Sequence, residues 1–105
     1  MPRLNEPALH VLLALGTETK HGYAIMQDIA ERSGGEIRLL PGTLYTTIAR
    51  MVDAKLVEEC APPRDTASDD ARRRYYRVTA AGRAAARAEM RRLTTLVRLG
   101  KVFQA

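Results

Sequence analysis

The chain has 105 residues, 46% of them hydrophobic, which is enough for one domain with a buried core. Seventeen Lys and Arg residues against twelve Asp and Glu residues give a net charge of +5, which favours an anionic partner such as nucleic acid. The single cysteine, Cys60, excludes an intrachain disulfide, and without a long apolar segment or a signal peptide we expect a cytoplasmic protein and no membrane partner.

The first third of the chain predicts two helices joined by a polar connection. Asn5 is a favourable N-cap, and Gly16 ends an apolar helix that has hydrophobic residues on more than one side. Such a helix favours burial against a second subunit as well as its own core. A second helix is predicted from about His21 to Ser33, with His21 as a capping or loop residue. Residues 36–40 are short and mixed, and could add one small edge strand.

Residues 41–55 form the most informative predicted helix. Pro41 suits a first helical turn, because it has no N–H group to leave unpaired. An apolar stripe follows at helical spacing, made of Leu44, Ile48, Met51, Val52 and Leu56. The other face carries Thr43, Tyr45, Thr46, Thr47 and Arg50. Short hydrogen-bonding groups and one guanidinium suit the major groove of DNA, although an ordinary solvated helix face is the alternative.

The last part of the chain predicts a β-hairpin and a final helix. Residues 56–60 alternate weakly and indicate a strand, and the turn-forming residues 64–71 indicate a flexible tip. Residues 72–79 return as a strand with Tyr76 and Val78 on one face and Arg73, Tyr75 and Arg77 on the other. Thr79 can cap a helix over about 80–102. Six basic residues against one acidic residue in 80–105 surround its apolar seam.

The order of helix, helix, short strand, helix, hairpin and helix predicts a mainly α protein with a small β-hairpin, that is, a winged helix. Its second and third helices form a helix-turn-helix, and the hairpin forms the wing. We divide the chain into a winged-helix DNA-binding domain over 1–79 and a C-terminal dimerisation helix over 80–105, packed with the first helix as one structural unit.

Three motifs in this order resemble one protein family. They are His21-Gly22-Tyr23, then residues 41–45 (Pro-Gly-Thr-Leu-Tyr), then residues 73–79 (Arg-Arg-Tyr-Tyr-Arg-Val-Thr) followed by Gly82-Arg83. Together they resemble the PadR family of bacterial transcriptional regulators, in its branch with a short C-terminal helix. The resemblance implies a winged-helix dimer that binds operator DNA, usually as a repressor. It also implies that 41–55 is the recognition helix, and that the last helix dimerises with the first.

Each proposed DNA contact has a structural alternative. Tyr23 and Tyr45 could hydrogen-bond phosphates or pack between helices, because a tyrosine has both a flat body and a polar tip. Arg50 could contact a base or phosphate, or pair with Asp53 three residues on. A basic cluster at the wing could grip phosphate, or simply be a solvated strand edge that blocks unwanted pairing. The cluster consists of Arg72, Arg73 and Arg74.

The predicted dimer contact is an apolar seam on the first and last helices. It comprises Leu9, Leu12, Met90, Leu93, Leu96 and Val97. We expect no enzyme activity, catalytic residues, cofactor or metal site, since the sequence has two histidines and no phosphate loop or nucleophile motif. A small-molecule effector is compatible with the sequence but not indicated by it. Two alternatives to DNA binding stay open, a winged helix that contacts only other proteins and an RNA-binding protein.

Overall fold

The structure is a computed structural model that describes residues 3–104. It contains four helices and a three-stranded antiparallel sheet, which confirms the predicted winged helix and its mainly α class. The elements are α1 (Glu6–Leu15), β1 (Lys20–His21), α2 (Gly22–Arg32), α3 (Pro41–Asp53), β2 (Val57–Cys60), β3 (Tyr75–Val78) and α4 (Ala80–Leu99), with 3-10 turns at Asp70–Arg72 and Gly100–Phe103. None of the helices in residues 3–104 has the length and hydrophobicity that a membrane span requires.

Side-chain caps begin three of the four helices. The Ala8 N–H donates to Asn5 Oδ1 at 2.9 Å, and the Gly82 N–H donates to Thr79 Oγ1 at 3.0 Å, so both predicted caps are confirmed. His21 is also a cap, because its Nδ1 accepts from the N–H of Ala24 at 3.1 Å. Each cap pairs one of the backbone donors that a helix leaves free at its start, and this fixes where the element begins.

The sheet order is β1-β3-β2, so β3 is the central strand. The third strand is therefore Lys20–His21, and the expectation that residues 36–40 supply it is wrong. Tyr75 is buried although it shares a face with two exposed arginines, because His21 of β1 is paired with it. Its ring meets the His21 ring edge-on at 5.4 Å between centroids.

The core forms where α1 meets α2, α3 and the sheet. It is built from aliphatic side chains of all these elements, chiefly Val11, Leu15, Ile25, Ile29, Leu44, Ile48 and Val57. Leu12 belongs to this core and is 3% exposed, so its prediction as a dimer contact is wrong. The predicted stripe on α3 is narrower than expected, because Val52 lies at its exposed margin. Burying such a stripe is the main force that holds α3 against the body.

A partly buried ion pair joins β1 to α1 and α2. Lys20 Nζ donates to Asp28 Oδ2 at 3.0 Å and to the carbonyl of Ala14 at 2.6 Å. Arg32 Nε also donates to Asp28 Oδ2, at 2.8 Å. Burial alone would raise the pKa of Asp28, but the hydrogen bonds from Lys20 and Arg32 outweigh it and hold this pKa below its ordinary value.

Replacing Asp28 with Asn should lower the free energy of unfolding by about 1–3 kcal/mol at neutral pH, because the largely buried Lys20 loses its nearest anion and keeps only the exposed Glu18 at 3.7 Å. The folded-state pKa of Asp28 is lowered, so this contribution is full above the ordinary carboxyl pKa and is lost as pH falls through the lowered pKa. Urea denaturation at neutral and acidic pH measures both effects. Glu31→Gln, on the exposed side of α2, is the charge-matched control, and equal stability of the two variants would contradict the prediction.

Candidate nucleic-acid interface

The outer face of α3 is polar and open to solvent. Thr43, Thr46 and Arg50 are exposed there, where the sequence places them. Thr47 is wrong as a DNA contact on this face, because it is 9% exposed and lies on the side of the helix that faces α1 and α4. The reason is its spacing, since Thr47 follows buried Leu44 by three residues and precedes buried Met51 by four. Without Thr47, the exposed polar face consists of two short side chains, Thr43 and Thr46, and the long, positively charged side chain of Arg50.

Arg50 is the cation on this face. No ion pair between Arg50 and Asp53, or with any other residue in 3–104, is found. The alternative prediction, an ion pair between Arg50 and Asp53, is therefore wrong for the described residues. Arg50 is free to extend toward a ligand from the C-terminal half of α3.

A cleft of about 300 Å³ lies where α2, α3 and β3 meet. It gathers residues that are far apart in the sequence, because β1 leads directly into α2 and pairs with β3. Tyr23 and Tyr45 are 47% and 51% exposed, so about half of each residue is accessible to solvent at the cleft. Its lining comprises His21, Gly22, Tyr23, Tyr45, Arg73, Arg74 and Tyr76.

Tyr45 combines the two roles that the sequence left open. Its ring packs against the first residue of α2, since a Cβ added to Gly22 would lie 2.6 Å from Tyr45 Cε1 and 2.8 Å from its hydroxyl. Only glycine at this position lets the ring approach so closely. The contact fixes the ring at the corner between α2 and α3 while half of the side chain stays exposed.

Arg73 brings positive charge to the same cleft. Its guanidinium carbon lies 5.7 Å from the centroid of the Tyr23 ring, and its Nε pairs with Asp70 at 3.2 Å. Partial burial, and next the charge of Arg73, lower the pKa of His21, while Asp70 opposes them. His21 is therefore held neutral near pH 7, which keeps its Nδ1 able to accept the capping hydrogen bond.

The remaining wing arginines are exposed, and two of them pair with carboxylates across the hairpin. Arg74 Nε lies 3.9 Å from a Glu59 oxygen, and Arg77 donates to Glu58 across the hairpin at 2.7 Å. Arg72 lies in the 3-10 turn before β3 and faces solvent. Exposed pairs of this kind contribute little free energy, so an incoming anion can replace the carboxylates at small cost.

The sequence did not identify three residues of the cleft as site residues. They are His21, Gly22 and Tyr76, and burial raises the pKa of the Tyr76 hydroxyl, which leaves it a neutral donor. The sequence carried a signal for the first two, because glycine is unfavourable in a helix and Gly22 stands at the start of one, directly after His21.

A second surface is apolar and lies at the end of α4. The helix is 20 residues long, and the first half of its apolar stripe, with Gly82 and Ala85, is buried against the body. The same stripe continues into the second half, where Leu96 is 49% exposed and Phe103, in the following turn, is 88% exposed. Met90 and Leu93 lie between the two halves and are partly exposed, as is Leu9 on α1.

A helix-turn-helix whose second helix has an exposed polar face, beside a basic hairpin, defines a winged-helix protein. The chain belongs to the transcriptional regulator PadR-like family, whose model matches residues 11–88. Over 91 residues it is 36% identical to the transcriptional regulator Rv3488 of Mycobacterium tuberculosis, covering 86% of this chain and 78% of that protein. The chain spans 65% of the length of another relative, an uncharacterized protein of Lysinibacillus sphaericus that is 28% identical over 74 residues.

Solved structures share the fold at low sequence identity. A PadR family transcription regulator from Clostridium difficile superposes with a TM-score of 0.79 at 20% identity, over 96% of this chain and all of that one. Bacillus subtilis PadR in complex with operator DNA gives a TM-score of 0.65 at 16% identity, over 79% of this chain and 45% of that chain. These likenesses confirm the winged-helix architecture.

Proposed function

We propose that the chain is a sequence-specific transcriptional regulator, a repressor that binds a palindromic operator in double-stranded DNA as a homodimer. The observation that carries the proposal is the cleft with its tyrosines and arginines, placed beside the exposed polar face of α3. This combination offers a grip on the DNA backbone next to a helix that fits a major groove. An operator-binding role would place the protein with the bacterial chromosome in the cytoplasm.

The cleft suits a phosphate group. Arg73 and Arg74 supply charge, Tyr23 and Tyr45 supply hydroxyl groups, and the N-terminus of α2 opens into the same space. A helix N-terminus favours an anion because its first N–H groups and the helix dipole point toward it. Asp70 and Glu59 hold the arginines only through exposed pairs, which phosphate oxygens can replace.

The outer face of α3 suits base contacts. Thr43 and Thr46 can contact thymine methyl groups or phosphates, and the fork of Arg50 matches the O6 and N7 atoms of guanine. Arg50 lies two turns from the start of α3, beyond both threonines on the same side of the helix. Arg50 is therefore the main side chain that recognises a base, and the rest of the sequence specificity depends on DNA shape.

Two-fold symmetry would follow from the apolar end of α4. Five large apolar side chains are exposed there, and contiguous exposed apolar patches mark contact surfaces. They are Leu96, Val97, Leu99, Val102 and Phe103. A second copy that covers Leu93, Leu96 and Val97 would place two recognition helices on one face of the DNA, with half-sites about one helical turn apart.

DNA affinity should fall steeply with salt, because a dimer with roughly 6–10 phosphate contacts releases a similar number of counterions. The test is binding to an operator selected from random duplexes, and to random DNA, at several salt concentrations. Arg73→Ala should reduce the log-log slope by about 1 for each phosphate that is no longer neutralised, and weaken both DNAs alike. Arg50→Ala should cost about 1–3 kcal/mol on each operator half-site and little on random DNA.

The two variants distinguish a non-specific contact with phosphate from recognition of a base. Equal losses on operator and random DNA for Arg50→Ala would reduce Arg50 to a phosphate contact. A flat salt response of the native protein would remove DNA as the partner and favour the alternative, a winged helix that contacts only other proteins.

Gly22→Ala should weaken DNA binding about three- to tenfold without loss of stability, because the new Cβ displaces Tyr45 from the cleft and removes one hydrogen bond to phosphate. The obstructing atoms are at the end of a side chain that can swing away, and alanine favours the helix. Filter binding measures the affinity, and a double-mutant cycle supplies the control. In a Tyr45→Ala background, Gly22→Ala should have no further effect, and additive losses would show that Gly22 acts independently of the ring.

A further inference from the structure

A second and larger groove lies on the other side of α3 from the cleft. It has a volume of about 420 Å³ and runs between the start of α1, the C-terminal half of α3 and the first turns of α4. Small-molecule sites typically occupy roughly 300–1,000 Å³ and have apolar walls with a few polar groups. The apolar wall here consists of Leu4, Ala8, Met51, Leu56, Ala81 and Ala85.

The polar groups of the groove gather at its α3 side. Thr47 and Arg50 follow each other by three residues and both line the groove, so they occupy one side of the helix. No hydrogen bond from the Thr47 hydroxyl, and no ion pair from Arg50, is found within residues 3–104. A donor hydroxyl and a guanidinium therefore face an apolar space with no partner of their own among the described residues.

We propose that this groove binds an amphiphile with one carboxylate and an apolar body. The carboxylate would accept hydrogen bonds from Arg50 and Thr47, since a guanidinium and a carboxylate form charge-assisted, bidentate pairs. The apolar body would lie along the alanine-rich start of α4, where small side chains leave room for it. Arg3 at the other border of the groove adds a second positive charge, part of which acts on the nearby carboxylate of Glu89.

Charge decides between this occupant and a second copy of the chain. The exposed apolar end of α4 is the obvious protein segment to fill a groove, but it carries Arg98 and Lys101 and no acidic residue from 90 to 104. Arg50 and Arg3 border the groove, so that segment would bring like charges together. An anionic amphiphile satisfies the same apolar wall and neutralises the arginines.

Binding would act on DNA through Arg50. The same guanidinium borders the groove and extends from the recognition helix, and it cannot hold a carboxylate in the groove and a guanine in the DNA at once. An amphiphile in the groove should therefore release the operator. This consequence rests on the proposed function, whereas occupation of the groove does not.

The experiment titrates decanoate into the full chain, with amide NMR to locate the site and calorimetry for affinity. Shifts should centre on Ala8, Met51 and Ala81, and decanol, which lacks the charge, should bind at least about tenfold more weakly. Arg50→Ala should weaken decanoate by a similar factor, and Ala81→Leu should abolish binding by filling the groove. Arg83→Ala, which removes the same charge outside the groove, should bind like the native protein.

Several results would overturn the proposal. Shifts confined to residues 96–103 would place decanoate on the exposed end of α4. Equal affinity of the native protein and Arg50→Ala would remove the carboxylate contact. A changed dimer dissociation constant in Ala81→Leu, with no decanoate binding to the native chain, would assign the groove to a second copy.

A DNA-release experiment distinguishes failure of the groove proposal from failure of the proposed function. Decanoate should release a labelled operator duplex from the native protein but not from Ala81→Leu, which should bind DNA normally. If the native protein binds no duplex at any salt concentration, the proposed function fails while the NMR titration still decides the groove. If DNA binds and decanoate shifts the groove amides without releasing it, the regulatory consequence is wrong.

Discussion

Gly82→Ala is expected to lower the free energy of unfolding by about 3 kcal/mol or more, a large part of the 5–15 kcal/mol that holds a typical domain together. Gly82 lies in the first turn of α4, where a Cβ would stand 2.0 Å from the carbonyl oxygen of Leu56 and 2.8 Å from Val78 Cγ1. That oxygen cannot retreat easily, because it accepts a hydrogen bond from the N–H of Thr79 at 3.0 Å, and the hydroxyl of the same residue holds the preceding carbonyl, that of Lys55, at 2.6 Å.

The matched control is Gly42→Ala in the first turn of α3. Both glycines are helical, and no heavy atom lies within 4 Å of a Cβ added at Gly42. Alanine should therefore stabilise α3 by up to about 1 kcal/mol, the usual difference between the two residues in a helix. Urea denaturation measures both variants. A Gly82→Ala protein as stable as the native one would contradict the close contact between α4 and the carbonyl group of Leu56, which directly precedes β2.

Local signals predicted the helices well because helix ends are fixed by neighbouring residues. Asn5 and Thr79 cap α1 and α4 as expected, and Pro41 begins α3. Gly16 ends α1 with φ of 55°, a conformation that favours glycine. Each of these decisions involves residues within one or two turns, so the sequence contains what is needed to make it.

The sheet was harder to predict because its pairing is not local. β1 is two residues long, and it exists only because Lys20 and His21 meet Tyr76 and Tyr75, more than fifty residues away. No alternation pattern can appear in two residues, so the sequence indicated residues 36–40 as the possible edge strand and gave no sign of β1. The burial of Tyr75 has the same origin, because His21 of β1 is paired with it and their rings are in contact, whereas Arg77 on the same strand face stays exposed.

The site was predicted in part for the same physical reasons. The inward position of Thr47 could have been inferred, since its spacing from Leu44 and Met51 is that of the buried stripe, but a threonine fits either environment. The cleft could not, because it joins the start of α2 to α3 and β3 through a two-residue strand. The dimer contacts divide similarly, with Leu12 in the core and Leu96 and Val97 exposed.

Leu93→Asp is expected to produce a monomer and to reduce operator affinity by about 100-fold or more. In a dimer, binding of one recognition helix holds the other at a high effective concentration near its half-site, and a monomer loses this advantage. Leu93 lies on the apolar stripe of α4, midway between the buried Ala85 and the exposed end of the helix. A carboxylate there would be buried without a partner in a two-fold seam, which strongly disfavours association. It should leave the monomer folded, because most of the core lies on α1, α2, α3 and the sheet.

Thr95→Asp is the control, since it introduces the same charge on an exposed position two residues on, which is nearly the opposite side of the helix. Sedimentation should give a dimer for the native chain and for Thr95→Asp at micromolar concentration, and a monomer for Leu93→Asp. Operator binding should follow the same order. Binding of random DNA should fall less, because non-specific contacts depend mainly on phosphates and not on two spaced recognition helices. A native chain that sediments as a monomer, or a Leu93→Asp monomer that binds the operator with native affinity, would contradict the proposed dimer and place operator recognition within a single copy.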